Sequence, residues 1–156
     1  MIILGIDPGL ANLGWAVISP GPTAIAFGAF RTNPKQRLGQ RFIGLSNDLM
    51  SIIKQRRPDI VAIEHAMGMQ FTQSAQEFFQ AVGVVLLTCE HAGLMVAHHK
   101  VGTWKKGVTG NGAAKKPEIQ AAMQKAFGLK SLPTPDHAAD ALGIALHHLM
   151  LMERAA

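Results

Sequence analysis

Residues 2–6, Ile-Ile-Leu-Gly-Ile, form an unbroken and largely β-branched apolar run, the pattern of a strand buried on both faces. Residues 13–18 and 24–31 read as two more strands. The links between the three, Pro8-Gly9 with Ala11-Asn12 and then Pro20-Gly21-Pro22, are short enough for antiparallel hairpins. From 36 to 57 the period changes. Leu38, Phe42, Leu45, Leu49, Ile52 and Ile53 recur at helical spacing, and Pro58-Asp59 ends the segment. Residues 60–63, Ile-Val-Ala-Ile, predict a fourth buried strand that delivers Glu64.

A second helix spans 72–91. Ala75, Phe78, Phe79, Val82 and Leu86 form its stripe, with Val84, Val85 and Leu87 beside it. That breadth implies burial on more than one side, against the sheet or another subunit. Gly93 stops the helix, and 94–98 read as a fifth strand. Residues 103–114 are rich in Gly and Lys with poor periodicity, and read as a flexible basic loop or a short broken helix. Residues 117–127 predict a helix with Pro near its start. In the last helix Thr134 is the expected cap, Pro135 the first position, and 138–151 the body.

The order β-β-β-α-β-α-β-α-α predicts an α/β fold: a mixed five-stranded sheet, three antiparallel strands followed by alternating helix and strand, with helices on both faces. Strands one and four are expected to be parallel neighbours. No internal repeat, low-complexity segment or domain boundary interrupts the pattern, so residues 1–156 read as one domain.

Composition sharpens this outline. With 48% hydrophobic and 16% charged residues, the chain has the make-up of a well-buried globular protein. The longest apolar stretch, 81–87, is far too short to cross a bilayer, and the N-terminus lacks the basic start and cleavage site of a signal peptide. A lone cysteine, Cys89, excludes an internal disulfide, cannot by itself form a metal cage, and suits a reducing cytoplasm. Net charge is +5, unevenly spread. Seven lysines and one acid, Glu118, lie between Lys100 and Lys130. Arg31, Lys35, Arg37 and Arg41 make a second basic group, and Lys54, Arg56 and Arg57 a third. Together they point to an anionic polymer, with nucleic acid the leading candidate.

Against that background the acids stand out. Asp7 closes strand one, just before Pro8-Gly9, and Glu64 closes strand four. In a parallel pair both emerge at the C-terminal edge of the sheet, where ligands of α/β proteins usually sit. A carboxylate at the end of a buried strand needs a cation, a proton or several hydrogen bonds. On the last helix Asp136, His137 and Asp140 are spaced to share a face as 136/140 or 137/140. Each has a structural alternative: Asp136 answering the helix dipole, His137 as a surface cap, Glu64 paired with a lysine. The chain has only ten acids, and three or four of them would converge on one point. Clustered carboxylates repel and call for a divalent cation, and an oxygen-rich site with one imidazole suits Mg²⁺ or Mn²⁺. Two such ions, about 3.5–4 Å apart, serve phosphodiester hydrolysis by activating water and stabilising the leaving oxygen. Acidic cluster and basic surroundings together indicate a nuclease.

These residues resemble the RuvC family of Holliday junction resolvases, within the ribonuclease-H-like superfamily, nearly end to end. Gly-Ile-Asp-Pro-Gly at 5–9 is similar to its opening strand, Ala-Ile-Glu at 62–64 to its second acidic strand, and His-Ala-Ala-Asp-Ala-Leu at 137–142 to its final acidic helix. Val-Thr-Gly-Asn-Gly-Ala-Ala-Lys-Lys at 108–116 resembles the glycine-rich segment before its basic helix. The resemblance implies that Asp7, Glu64, His137 and Asp140 are catalytic and metal-binding, with Asp136 competing with His137. A His at 137, where many relatives have Asp, removes one negative charge and favours Mn²⁺. Lys105 and Lys116, with Lys106 and Lys115 beside them, would meet DNA near the scissile phosphate. Met67 takes the place where relatives often have a base-stacking aromatic, with Phe71 four residues on; the alternative is that both merely pack the loop. The resemblance also implies a homodimer through the helix at 72–90, a four-way junction as substrate, and a branch-migration complex as a possible partner. The other readings are a relative that acts on flaps, forks or RNA, a non-cleaving junction-binding protein, and an actin-like ATPase, the last disfavoured by chain length.

Overall fold

The computed structural model describes residues 1–65 and 70–155. Ten elements follow one another: β1 (Ile3–Asp7), β2 (Asn12–Ser19), β3 (Thr23–Arg31), α1 (Leu38–Arg56), β4 (Ile60–His65), α2 (Gln73–His91), β5 (Val96–Lys100), α3 (Val101–Thr109), α4 (Lys116–Ala126) and α5 (Asp136–Ala155). The strands form one sheet in the order β3-β2-β1-β4-β5. β1 pairs antiparallel with β2, and β2 with β3, while β1–β4 and β4–β5 are parallel. The expected mixed sheet is therefore present, with β1 and β4 adjacent.

Alternation along the strands sorts the core into two layers. Ile3, Ala16, Ile18 and Ala62 face α5, Trp104 of α3, and Ile119 and Met123 of α4. Leu4, Ile6, Leu13, Val17, Val61 and Ile63 face Leu45, Leu49 and Ile53 of α1 and Ala81, Val85 and Cys89 of α2. Cys89 is fully buried, and burial pushes its thiol up to about 11, so it behaves as a small hydrophobe. No helix among the described residues is long and apolar enough to cross a membrane.

Three boundaries differ from the sequence expectation, each for a local reason. β5 begins two residues late because Gly93 and Leu94 are occupied in closing α2: their N–H groups donate to the carbonyls of Glu90 and Cys89, both at 3.0 Å, with Gly93 left-handed at φ 68°. Of the two readings of 103–114, a flexible basic loop or a short broken helix, the structure has a helix, unbroken over residues 101–109. Gly110 ends it in the left-handed region at φ 82°, donating to the Lys106 carbonyl at 2.9 Å. Its one buried residue is Trp104, which leaves too little periodicity to read from sequence. Lastly, α5 starts at Asp136 and runs to Ala155; Thr134 and Pro135, joined by a cis peptide bond, lie ahead of the helix and not in it.

The central helix lies unusually close to the sheet. A Cβ on Gly5 of β1 would stand 2.2 Å from the Ala141 carbonyl oxygen and 2.8 Å from the Ala145 Cβ. One on Gly14 of β2 would stand 2.0 Å from the His137 carbonyl oxygen. Both strand glycines are thus required by backbone approach. We expect Gly5→Ala to cost about 3 kcal/mol in chemical denaturation, because backbone and not a flexible side chain must move. Gly44→Ala, in α1 with nothing within 4 Å of its added Cβ, is expected to be neutral or to stabilise by up to about 1 kcal/mol. Equal effects of the two would refute the close-approach account.

A row of imidazoles joins β5 to α5. His147 Nδ1 lies 3.0 Å from His99 Nδ1, and His99 Nε2 lies 3.1 Å from His148 Nδ1, all three residues being buried. His99 uses nitrogens on opposite sides of its ring, so the row is a hydrogen-bonded chain and not a cage around one point. Burial, then the neighbouring imidazoles, lowers the pKa of His99 to about 4; burial also lowers those of His147 and His148. The unfolded chain takes up protons at these residues below about 6.5 while the fold resists. Their contribution to stability is therefore present above pH 6.5 and lost as pH falls toward 4. Between pH 7 and 4.5 the native protein should lose more stability than His99→Gln; parallel urea-midpoint curves for the two would contradict this.

Candidate metal and nucleic-acid site

Asp7 is the last residue of a strand buried along its whole length, and it remains only 9% exposed. Ile6 pairs with Ile63, which brings the Asp7 and Glu64 ends side by side at the C-terminal edge of the parallel pair. The close seating of α5 against Gly5 and Gly14 then brings its first turns over the same edge. His137 Nδ1 reaches Asp7 Oδ2 at 2.7 Å. Asp140, one turn further on, lies close enough to feel the charges of both Asp7 and Glu64. Sequence spacing placed these residues on elements; the sheet register and the helix approach bring them together.

The electrostatics of the cluster are unfavourable as it stands. Burial, then the Asp7 charge, pushes Glu64 up to about 7, against the lowering effects of a Trp104 hydrogen bond and of Lys105. Burial, then Asp7 and Glu64, pushes Asp140 up to about 7. Asp7 is raised too, by burial above all, although His137 opposes the rise. His137 in turn is raised, chiefly by its hydrogen bond to Asp7. Three carboxylates each resisting ionisation, on a protein of net charge +5, are a set that a bound cation would stabilise.

The donor set fits a hard divalent ion: carboxylate oxygens from three elements with one imidazole. Among the described residues, no three His, Cys, Asp or Glu side chains are already gathered around one point. One hydrogen bond accounts for part of this: the Asp7 carboxylate is turned onto His137. Binding would require Asp7 to exchange its imidazole partner for the ion, with release of protons from the cluster.

Asp136 is engaged elsewhere. Its carboxylate forms an ion pair with Lys116 at the start of α4, which lowers the Asp136 pKa and raises that of Lys116. Lys105, on α3, lies 5.7 Å above the Trp104 ring and within electrostatic range of Glu64 and Asp140. Lys106 and Lys115 are exposed on the same stretch of surface-bearing elements, α3 and the cap of α4. The Lys115 backbone N–H donates to Glu118 at 2.8 Å, leaving its ammonium free of that capping contact. In the second basic group, Arg41 is half-buried and donates to the Thr32 hydroxyl at 2.9 Å, so part of that group braces the loop after β1. Phe71 is 95% exposed and does not pack the loop. Met67 lies outside the described residues.

A second surface feature separates α1 from α2. Phe42, Ile43, Phe79, Val84 and Leu87 line an apolar cleft of about 440 Å³. Phe79 and Leu87 are 52% and 60% exposed, on the broad apolar face anticipated for the second helix, and Ile43 of α1, 64% exposed, joins them in the cleft lining.

Sequence reasoning missed two groups at or near the cluster. Trp104 donates to Glu64 at 3.0 Å, and its only sequence signal was a tryptophan directly before Lys105-Lys106. The His99–His147–His148 row lies on two elements some fifty residues apart, a pairing no local pattern encodes.

Residues 3–148 match the family described as crossover junction endodeoxyribonuclease RuvC. A protein of that name from Treponema denticola is 36% identical over 152 residues, covering 96% of this chain and 85% of its own. The Zymomonas mobilis protein is 36% identical over 151 residues, covering 95% and 90%. Among solved structures, Thermus thermophilus RuvC superposes with a TM-score of 0.88 at 28% identity, over 99% of this chain and 97% of that one. The same protein in complex with a Holliday junction substrate gives a TM-score of 0.90.

If the carboxylates are held together against their own repulsion, removing one charge should stabilise the metal-free protein. Asp140 has a folded pKa of about 7 against 3.8 unfolded, so its cost grows as pH rises from 4 to 7 and is constant above. Asp140→Asn should raise the melting temperature by several degrees at pH 8 with chelator, and the gain should fade toward pH 4. Added Mn²⁺ should stabilise the native protein more than the variant. An unchanged or lower melting temperature for the variant at pH 8 would contradict the electrostatic account.

Proposed function

The chain belongs to the RuvC family of crossover junction endodeoxyribonucleases, and on that footing we propose that it resolves four-way (Holliday) DNA junctions in recombination and repair by paired, symmetric nicks. The observation that carries this reading is the meeting of Asp7, Glu64 and Asp140 at one sheet edge, each held back from ionisation by burial and by its neighbours. Divalent-metal dependence is general to these nucleases. Asp7, Glu64, His137 and Asp140 are the proposed ligands, of Mg²⁺ or Mn²⁺ and of two ions per site. Bound there, such an ion would act as a Lewis acid and lower the pKa of its water.

The chain's own residues supply the rest. Asp7 would be the central ligand of such a site, since it touches His137 and acts electrostatically on both Glu64 and Asp140. His137, whose proton is held by its bond to Asp7, would have to give that proton up for the pair to hold an ion, which would couple loading to pH. Lys105 faces the cluster from α3 and is placed to receive the scissile phosphate; Lys106 and Lys115 extend the positive surface along the DNA. Lys116 must leave Asp136 to reach a phosphate, and the exposed pair, 64% and 32% accessible at its side chains, can be exchanged at small cost. Phe71, fully displayed beside the N-terminus of α2, can stack on an unpaired base at the junction centre, with Met67 as a wedge.

The whole chain acts as one nuclease domain, and two copies dimerise through α2. The cleft between α1 and α2 is apolar and open, as an isologous interface requires. A two-fold dimer presents two sites to a substrate with the same symmetry, which is why nicks would fall in opposed strands. A branch-migration complex would be its partner in a cytoplasmic setting.

The test is Asp7→Asn beside the native protein on synthetic four-way junctions, with Mg²⁺, with Mn²⁺ and with chelator. The variant should bind the junction at least as tightly and cut at least about 1000-fold more slowly, from the loss of charge at the shared ligand. Equal cleavage by both proteins, or random nicking of plain duplex, would refute the proposal.

A further inference from the structure

Glu64 leaves β4 with one carboxylate oxygen already committed. Trp104 donates its indole Nε1–H to Glu64 Oε2 at 3.0 Å, across from α3. The ring has no freedom to wander. It is fully buried, in the core cluster it shares with α4 and α5, and it is seated on Gly143 of α5. A Cβ on Gly143 would stand 2.7 Å from Trp104 Cζ3, so the helix surface is hollowed for this ring. Three elements therefore fix one N–H: α3 carries it, α5 seats it, and β4 presents the acceptor.

The chemistry of that donor matters. An indole N–H donates and never accepts, and it carries no net charge. It can hold a carboxylate in place without cancelling the negative charge a cation needs. Lys105, the neighbouring alternative, would cancel it. By engaging Oε2 alone, the contact leaves Oε1 unclaimed by Trp104 and selects a single rotamer for the side chain. Partners that orient ligands in this way commonly change metal affinity by about 10–100-fold when removed.

We propose that Trp104 is a positioning residue of the nuclease site, whose buried indole N–H holds the Glu64 carboxylate in its ion-binding orientation through Oε2. The inference rests on the reading of Glu64 as a metal ligand. It assigns Trp104 a role separable from packing: the ring supports the layer beneath α5, and the N–H serves the site. Gly143 belongs to the same device, since any larger residue there would displace the ring.

The experiment compares the native protein, Trp104→Phe and Glu64→Gln. Mn²⁺ binding is measured by calorimetry without DNA, junction binding in chelator, and junction cleavage as a function of Mn²⁺ concentration. Trp104→Phe should weaken Mn²⁺ binding about 10-fold and raise the half-saturating Mn²⁺ for cleavage by a similar factor. The maximal rate at saturating ion should change less, and junction binding in chelator should not change. Loss of the ring's volume alone would lower the melting temperature without moving the Mn²⁺ dependence. Should Trp104→Phe fail to fold, replacement of Trp104 by 3-benzothienylalanine, which keeps the bicyclic shape and lacks the N–H, decides the matter on the same readouts. Native Mn²⁺ affinity in the donor-free variant, with Glu64→Gln unable to bind or cleave, would overturn the role of Trp104 alone. Native binding and cleavage by Glu64→Gln would instead overturn the reading of Glu64.

Discussion

Everything distinctive in this molecule depends on how closely α5 approaches the sheet. Gly5 and Gly14 remove the two side chains that would hold the helix away, and the backbone of α5 settles against β1 and β2 at distances no Cβ would allow. The first turns of the helix thereby come within hydrogen-bond reach of a residue at the end of β1. A larger residue at either position would push α5 off the sheet and lengthen the reach from His137 to Asp7. The same closeness recurs on the outer side of α5, where Gly143 admits Trp104, and on α3, where Gly107 lies against the His147 ring. Small residues act here as spacers whose value is the distance they set.

That geometry concentrates like charge. A buried carboxylate cluster in a basic protein is a source of instability, and the fold tolerates it with neutral or exchangeable partners: an imidazole on Asp7, an indole N–H on Glu64. Neither fully compensates the burial, which is why Glu64 and Asp140 remain near 7. Such a site would gain from a bound cation whether or not a substrate is present. The lysines around it are kept one step back. Lys116 is paired with Asp136, and Lys105 lies over an indole. The His99–His147–His148 row carries polar groups through the core in neutral form, tying the edge strand β5 to α5.

The strands and long helices were legible because their signals are local. Continuous β-branched runs marked β1 and β4, and stripes at helical spacing marked α1 and α2. The parallel neighbourhood of β1 and β4 followed from three hairpin-linked strands preceding an αβ unit. α3 was not legible, since nine residues with two glycines and one buried side chain have no period to detect. The start of β5 was misplaced because the residues that read as strand serve to close α2. Proline ahead of α5 looked like a first helical position, yet the helix begins one residue later, with Asp136.

At the site, the sequence by itself determined which residue types were available, on which elements, and at which ends: Asp7 and Glu64 at strand termini, His137 and Asp140 on one helix face. Those are consequences of short-range periodicity. Only the tertiary structure decided that the His137 ring reaches Asp7, that the Asp136 carboxylate pairs with Lys116, and that Trp104 reaches Glu64. These choices depend on sub-ångström approach between elements far apart in the chain, set by glycines and by the seating of one buried ring. No spacing rule along the sequence carries that information, because packing distance is a property of two surfaces and not of either one.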